Sequence, residues 1–286
     1  MRRAALAAVQ KALTGPFVVG SVLESQPLRR HLQRVAIHAP NLDRLQLPST
    51  GDGAIGVYFA SSDDGAPVGR TYTVREHDPS ADRITVDVVL HGDARGTRWA
   101  TNAVAGDRVE LAYAKSWYQP PDYADRRLLV ADLAGLPAIA RLIEKGGRAG
   151  TIAIVEVLED DDLDYLPKLT SVRVIASIGT GNGMAASALA RLVAQNCPDV
   201  GRGYCWFAGE AAEARAVRKF LRHERRWATD QMDVMGYWRR DADEWTRRFA
   251  PHGPQMYSIY HKAIADGKSE KAALEEFEAA LERMGL

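Results

Sequence analysis

The first part of the chain consists of short runs in which apolar and polar residues alternate. Turn-forming residues separate these runs, most clearly at residues 48–53 and 61–65. Alternation places one face of each strand in a core, and short strands at this spacing predict an antiparallel sandwich or barrel. Six strands of this length can close a small barrel. The predicted strands cover residues 18–23, 32–38, 55–59, 70–75, 84–90 and 108–113.

After Pro120 and Pro121 the pattern changes, because apolar strands now alternate with stretches of helical spacing. Such alternation predicts a parallel sheet that helices cover on both faces. The proline pair is the expected boundary between two domains. The predicted strands cover residues 127–131, 151–158, 172–178 and 203–208, and the predicted helices bury apolar positions within residues 136–143, 184–193 and 214–221.

The end of the chain is predicted to be helical, with Ser269 as a cap and one apolar stripe. The stripe consists of Leu274, Phe277, Leu281 and Met284. We therefore expect an antiparallel barrel over residues 16–121, an α/β domain over residues 122–240 and a helical extension over residues 241–286. A short helix is also expected within residues 1–13, where the sequence does not fit a secretory signal peptide.

Composition narrows the possible classes of function. The chain has 286 residues, of which 46% are hydrophobic and 26% are charged, as is typical of a globular protein with two domains. The 37 basic and 37 acidic side chains cancel, which excludes a general nucleic-acid binder but leaves room for a local anion pocket. Cys197 and Cys205 form no metal-binding or redox pattern, and no apolar run is long enough to span a membrane. We expect a cytoplasmic monomer or homodimer without a metal or a disulfide.

The segment at residues 70–75 has the side chains needed to hold a dinucleotide. Alternation along a strand points Arg70 and Tyr72 to the same side, about 7 Å apart. A guanidinium at that distance suits a pyrophosphate, and the aromatic ring suits a flat ring system. Thr73 then offers a hydroxyl group at the edge of that ring system. This strand is therefore a candidate cofactor clamp.

Two further motifs follow in the first domain. The strand that contains Val89 ends in His91 and Gly92, whose exposed backbone groups could contact a flat heterocycle. A glycine turn and a helix start follow at residues 96–100, where free N–H groups and the hydroxyl of Thr97 would form an anion site.

The second domain has candidate motifs at the ends of its strands. Residues 131–139 join its first strand to its first helix, and ligands bind beyond the carboxyl ends of strands in a parallel sheet. This turn lacks the G-x-G-x-x-G fingerprint. Gly209 permits close approach of a ligand. Residues 236–239 place two aromatic rings and a cation at the expected end of the domain. The glycine-rich residues 179–183 lack a following lysine and are interpreted as a flexible turn.

In this order, the motifs resemble those of the siderophore-interacting protein family, flavoproteins of the ferredoxin-reductase superfamily. The resemblance covers about residues 20–239. It implies an FAD-binding six-stranded barrel, an NAD(P)H-binding α/β domain and ferric siderophores as substrates. It also implies that the flavin, and no catalytic side chain, carries the redox chemistry, with NADPH or NADH as electron donor.

The resemblance also implies roles for particular residues. FAD would be held by Arg70, Tyr72, Thr73, Val89, His91, Gly92, Thr97, Trp99 and Ala100. The pyridine nucleotide would be bordered by Asp132, Pro137, Gly209 and Glu210, and the flavin pocket would be closed by Tyr237 and Trp238. Because ferric siderophores are often anionic, cations at the barrel mouth are expected to bind them. The candidate cations are Lys115, Arg75 and Arg239.

Two departures from the family pattern keep alternatives open. Leu133 and Ala134 stand where acidic and threonine residues are usual, which affects nucleotide affinity and the choice between NADH and NADPH. Residues 112–115 replace a glycine-proline turn at the edge of the substrate pocket. The alternatives are a reductase that receives electrons from ferredoxin, and a flavin-containing protein that binds iron chelates without turnover.

Overall fold

The protein is described by a computed structural model over residues 17–60, 68–92, 94–198 and 202–286. The helix expected within residues 1–13 and the turn expected at residues 61–65 lie outside the described residues.

Six antiparallel strands close into a barrel within the described residues, in the order β1-β2-β5-β4-β3-β6. They are β1 (Val18–Arg29), β2 (Leu32–His38), β3 (Ala54–Phe59), β4 (Val68–Asp78), β5 (Arg83–Val89) and β6 (Arg108–Lys115). Their inward side chains, Ile37, Ile55 and Ile84 among them, are fully buried. Helix α1 (Arg95–Asn102) adds Ala100 to this core. The predicted barrel is confirmed, since alternation puts every second apolar residue inside it.

Strand β6 contains a bulge where the sequence departs from the family pattern. Ala112 pairs with Gly56 and Ala114 with Ile55, so Tyr113 has no partner in the ladder. Its φ is +25°, and its hydroxyl lies 2.9 Å from Oγ1 of Thr71. A Cβ on Gly56 would lie 2.6 Å from the Tyr113 ring, so a glycine is needed beneath it. The bulge reverses the alternation of the strand before it ends at Lys115.

The second domain is a five-stranded parallel sheet in the order β11-β10-β7-β8-β9, counted within the described residues. Its strands are β7 (Arg126–Ala131), β8 (Thr151–Val157), β9 (Val172–Ile178), β10 (Gly203–Glu210) and β11 (Met232–Trp238), and its helices are α2 (Leu136–Gly146), α3 (Leu189–Asn196) and α4 (Ala211–Lys219). Separate apolar clusters lie on the two faces of the sheet. The predicted parallel sheet is confirmed.

Two predictions for this domain need correction. The helix expected from Met184 begins only at Leu189, and Met184 itself is 78% exposed. The preceding backbone turns through several positive φ angles, which a helix does not allow. The sheet is also incompletely covered, because Val174 and Ile178 on the edge strand β9 are exposed. The connection from β8 to β9 contains only a short 3-10 helix in place of a full covering helix.

A buried carboxylate joins the barrel to the α/β domain. Asp52 is fully buried and accepts hydrogen bonds from Oγ of Ser116, from the amides of Trp117 and Tyr118, and from Nε1 of Trp206, at 2.6–3.1 Å. These donors come from the linker after the barrel and from strand β10 of the parallel sheet. Asp52 therefore fixes the orientation of one domain against the other, because an unpaired buried carboxylate would be costly.

Ion pairs reinforce the same interface. Arg34 binds Asp87 through two bonds of 2.7 and 2.8 Å within the barrel, and the Tyr165 hydroxyl from the α/β domain donates to the same carboxylate. Arg75 forms two bonds to Glu144 of α2, at 2.8 and 2.5 Å. The two domains thus meet through ion pairs and hydrogen bonds, which limit their relative motion.

Residues 239–286 form a second compact unit. It contains α5 (Ala242–Phe249), α6 (Gly253–Ala265) and α7 (Glu270–Arg283), around an apolar cluster that includes Trp245 and Phe277. The predicted helical tail is confirmed: its apolar stripe lies in this cluster, and Oγ of Ser269 accepts a bond from the amide of Ala272 at 3.2 Å. Among the described residues, no helix is long and apolar enough to cross a membrane.

Candidate functional site

The outer end of β4 brings Arg70 and Tyr72 against the start of α1. A Cβ added to Gly96 would lie 2.7 Å from the Tyr72 hydroxyl and 4.0 Å from Cγ of Arg70. Only glycine therefore allows the helix to begin so close to both side chains. Burial, together with the charge of Arg95, lowers the pKa of Arg70. Two guanidinium groups and a helix start thus concentrate positive potential at this end of the barrel.

The first turn of α1 has the amides for binding an anion. The residue that precedes the helix is Ala94, whose side chain cannot accept a hydrogen bond, and no side-chain cap is present. The first amides of a helix have no acceptor within the helix, so those of Gly96 and Thr97 need an external one. A phosphate beside Arg70 would supply that acceptor. This arrangement fits the pyrophosphate of a dinucleotide cofactor.

Thr73 and Trp99 add unpaired buried polar atoms beside Tyr72. Thr73 is 6% exposed, and in the described part of the structure neither its Oγ1 nor Nε1 of Trp99 has a hydrogen-bond partner. Trp99 stacks on Phe59 at 4.5 Å and lies 5.9 Å from the Tyr72 ring. Buried polar groups are normally paired, so a polar ligand at this position would supply the missing partners.

Ala100 has a structural role within the barrel. It is fully buried, and its carbonyl accepts a hydrogen bond from Ser25. Its side chain therefore does not face a ligand site.

The end of β5 is held next to α1. The amide of His91 donates to Oγ1 of Thr97 at 3.2 Å, and Gly92 has a φ of +52° that suits a glycine. Val89 packs on the core of the α/β domain. His91 is solvent-exposed, yet its crowded surroundings and the charge of Arg70 lower its pKa. At neutral pH its ring is therefore a neutral hydrogen-bonding group beside the cationic helix start.

Trp238 faces this region from the carboxyl end of β11. Its ring centroid lies 6.4 Å from that of His91, with 30° between the planes. Its indole Nε1 donates to Asp132 at 2.5 Å, immediately after β7. Gly209 is required beside this pair, since a Cβ there would lie 3.0 Å from Oδ2 of Asp132. The candidate cofactor face of the barrel therefore adjoins the carboxyl edge of the parallel sheet.

Asp132 is a buried acid at the switch point of the sheet, where the neighbours of β7 leave in opposite directions. It is 1% exposed and also accepts from the amide of Ala134 at 2.9 Å. Burial raises its pKa to about 7, and the nearby charge of Glu156 acts in the same direction. The carboxyl group consequently titrates near neutral pH.

The glycine-rich residues 179–183, interpreted from the sequence as a flexible turn, are bonded to strand β8 and to the turn that follows β7. Asn182 accepts from the amide of Leu133 at 2.9 Å, and Thr180 donates to Glu156 at 2.8 Å. Glu156 also accepts from the amide of Ala188 at 2.6 Å and is 1% exposed. The sequence signal for this contact is Glu156 itself, a single acidic residue within a mostly apolar strand.

The remaining nucleotide candidates frame the same edge. Pro137 lies in the first turn of α2 and is buried there, while Glu210 caps α4 by accepting from the amide of Ala212. Tyr237 makes edge contacts with Trp117 and Trp206, each at 6.2 Å between centroids. Tyr237 thus packs into the sheet side of the domain, whereas Trp238 faces His91.

The structure places the three candidate cations in different elements. Lys115 ends β6 and is half-buried. Arg75 is bound to Glu144 at the domain interface. Arg239 belongs to the helical unit, where its guanidinium lies 4.9 Å from the Trp245 ring centre. Lys115 is the last residue of β6 and lies next to the bulge at Tyr113.

A closed six-stranded antiparallel barrel followed by a five-stranded parallel sheet is the architecture of the ferredoxin-reductase-like class of two-domain proteins. One family description, the siderophore-interacting FAD-binding domain, matches residues 55–115, and a second, the siderophore-interacting protein, matches residues 124–241. The chain belongs to the siderophore-interacting protein family. The resemblance predicted from the sequence is confirmed.

Relatives support this membership. The chain is 28% identical over 245 residues to the ferric vibriobactin reductase ViuB of Vibrio cholerae, covering 82% of this chain and 87% of the relative. It is 26% identical over 222 residues to the ferric acinetobactin reductase of Acinetobacter baumannii, covering 77% and 73%. The solved siderophore-interacting protein from Acinetobacter baumannii shares the fold, with a TM-score of 0.72, 22% identity and coverage of 85% of this chain and 100% of that one.

Proposed function

We propose that this protein is an FAD-dependent ferric-siderophore reductase that takes electrons from a nicotinamide dinucleotide. The observation that carries the proposal is the meeting of two dinucleotide-type sites. The helix start beside Arg70 lies on the barrel, the turn at Asp132 lies on the sheet, and His91 and Trp238 stand 6.4 Å apart between them. A hydride donor and a flavin must approach each other at such a junction.

Residues of the barrel would hold FAD. Arg70 and the first amides of α1 would bind the pyrophosphate, and the Tyr72 ring would lie against the ring system. The unpaired hydroxyl of Thr73 would bond to the edge of that system. FAD, when bound, supplies acceptance of a hydride and release of single electrons. We assign this role to residues 16–121, nucleotide binding to residues 122–240 and a helical extension to residues 241–286.

Residues at the sheet edge would position the nucleotide. Gly209 leaves space beside Asp132, and the carboxyl group of Asp132 holds the indole of Trp238 in place. Trp238 would cover the cofactor side of the pocket and limit the access of water. Because burial raises the pKa of Asp132 to about 7, its grip on the indole would strengthen as the carboxyl group ionises above that pH.

An alternative donor deserves a test, because the turn after Asp132 is poor in polar side chains. Leu133 is 1% exposed and packs in the core, so it offers no group to a nucleotide. This observation favours a reductase that receives electrons from ferredoxin as the second candidate. The substrate in both cases would be an anionic ferric siderophore near Lys115.

Anaerobic spectroscopy of the purified protein tests the proposal. The protein should retain FAD or take it up, and NADH or NADPH should bleach the flavin absorbance. Addition of a ferric siderophore should then restore the absorbance and release Fe(II) to a chromogenic trap. Bleaching only by reduced ferredoxin would support the second candidate. Tight chelate binding without Fe(II) would indicate a carrier, and failure to bind FAD would refute all three functions.

A further inference from the structure

The geometry points to the orientation of the dinucleotide across the parallel sheet, an inference that rests on the proposed function. The redox end must lie near the cofactor face, which Trp238 marks at the end of β11. Asp132 follows β7 at the centre of the strand order, and β8 and β9 lie on its far side. A dinucleotide that crosses the switch point therefore places its adenosine ribose beyond the ends of β8 and β9.

A buried carboxylate underlies that position. Glu156 lies one residue before the end of β8 and receives hydrogen bonds from Thr180 and from the amide of Ala188. A Cβ on Gly181 would lie 1.7 Å from Oε2 of Glu156, so the loop is held directly over the acid. Glu156 acts through this loop and is a positioning residue.

The residues around this loop in the sequence contain no cation that would balance the charge of Glu156. Residues 177–190 include neither lysine nor arginine, and residues 159–162 are all acidic. Arg30 approaches the same end of β8, where it pairs with Glu159. Arg191 lies in the first turn of α3, where it donates to Gln195 on its own helix at 3.2 Å.

The acidic side chains around the loop bear on the choice between NADH and NADPH. A 2′-phosphate carries about two negative charges near neutral pH and normally needs an arginine beside it, whereas a free ribose 2′-hydroxyl suits an acidic surrounding. We propose that this chain selects NADH over NADPH because the part of the loop that borders the adenosine ribose, residues 179–181, lies over the Glu156 carboxylate and contains no cation, whereas Gly183 at the other end of the loop lies beside the Trp238 ring.

Calorimetric titration of the FAD-bound protein with NAD⁺ and NADP⁺ tests this selection without turnover. We expect NAD⁺ to bind at least about tenfold more tightly, the cost of one missing charge-assisted contact. Anaerobic bleaching by NADH should show the same preference. Equal or tighter binding of NADP⁺ would overturn the inference and leave the reductase proposal intact. Failure of both nucleotides to bind a flavin-loaded protein would overturn the inference together with the nicotinamide donor.

Two arginine substitutions provide a matched pair. Ile178→Arg adds a cation at an exposed position next to Gly179, and Val174→Arg adds one at an exposed position in the middle of β9. The first should strengthen NADP⁺ binding about tenfold and change NAD⁺ binding little, while the second should change neither. Equal effects of the two variants would contradict the placement of the ribose.

Replacement of the buried acid tests its electrostatic role. Glu156→Gln keeps an oxygen acceptor and removes the charge, so the ratio of NADP⁺ to NAD⁺ affinity should rise several-fold. If the role of Glu156 is purely structural, the affinities for NAD⁺ and NADP⁺ should fall together. An unchanged ratio of the two affinities would refute the electrostatic role.

Discussion

The barrel face and the sheet edge are both suited to a dinucleotide, but their charges are opposite. On the barrel, Arg70 and Arg95 lie at a helix start that has no side-chain cap, so a phosphate bound there would be met by cations. At the sheet edge, the buried groups are Asp132 and Glu156, both carboxylates. Charge-assisted contacts give strong retention, whereas a carboxylate-lined edge weakens phosphate binding. The difference is what a resident cofactor and a transient donor require.

The largest effect is expected when a cation on the barrel face is removed. Arg70→Ala removes the guanidinium next to the α1 amides, and FAD affinity should fall about 100-fold. Fluorescence titration of the flavin-free protein with FAD measures the loss. Arg108→Ala is the control, since that side chain is 68% exposed on the barrel surface and pairs with Glu110. Comparable losses in both variants would refute a specific role for Arg70.

The second prediction concerns the acid at the sheet edge. Asp132 has an ordinary pKa near 3.9 in an unfolded chain and a pKa of about 7 when folded. The folded protein therefore holds the proton more tightly, and stability should decrease as pH rises from about 4 to about 7. Asp132→Asn should remove this decrease and be more stable at pH 8, by on the order of 2 kcal/mol. Denaturant unfolding at pH 5 and pH 8 measures it, and parallel pH profiles for both proteins would contradict it.

The third prediction separates the two sites. Gly181→Ala forces a Cβ toward Glu156 at a residue whose φ is +59°, so the loop must move. Nucleotide affinity should fall about tenfold, while FAD affinity stays unchanged. Titrations with both ligands test this, and a parallel loss of FAD would show that the two sites are not independent.

The smallest effects sharpen the choice among the candidate cations. Lys115→Ala should raise the siderophore concentration needed for half-maximal rate about fivefold, because an anionic substrate loses one cation. Arg75→Ala should leave that concentration unchanged and reduce stability by about 0.5–1 kcal/mol, through loss of the partly exposed pair with Glu144. Steady-state kinetics and denaturant unfolding distinguish them. The opposite pattern would assign the substrate to Arg75.

Sequence patterns predicted the local parts of this structure well. Alternation indicated the barrel strands, and the same alternation put Arg70 and Tyr72 on one side of β4. The strand-helix alternation indicated the parallel sheet and its carboxyl edge. These inferences succeed because they depend on the geometry of a single element, in which side chains a few residues apart have fixed directions.

Long-range partners could not be predicted in this way. In the sequence, residues 179–183 resemble a flexible turn, but in the structure Thr180 bonds to Glu156. Likewise, Arg75 resembles a surface cation in the sequence, but in the structure it pairs with Glu144. Met184 was expected in a helix, and positive φ angles in the preceding loop prevented that.

The sequence by itself therefore determined the order of elements and the family. Tertiary structure decided which residues adjoin one another. In the folded protein the helix start at Gly96 lies against Tyr72, and the Trp238 ring lies opposite His91. Asp132 is buried near Glu156. The physical reason is that burial and charge depend on neighbours distant in sequence. A carboxyl group acquires a pKa of about 7 only when the fold removes its water.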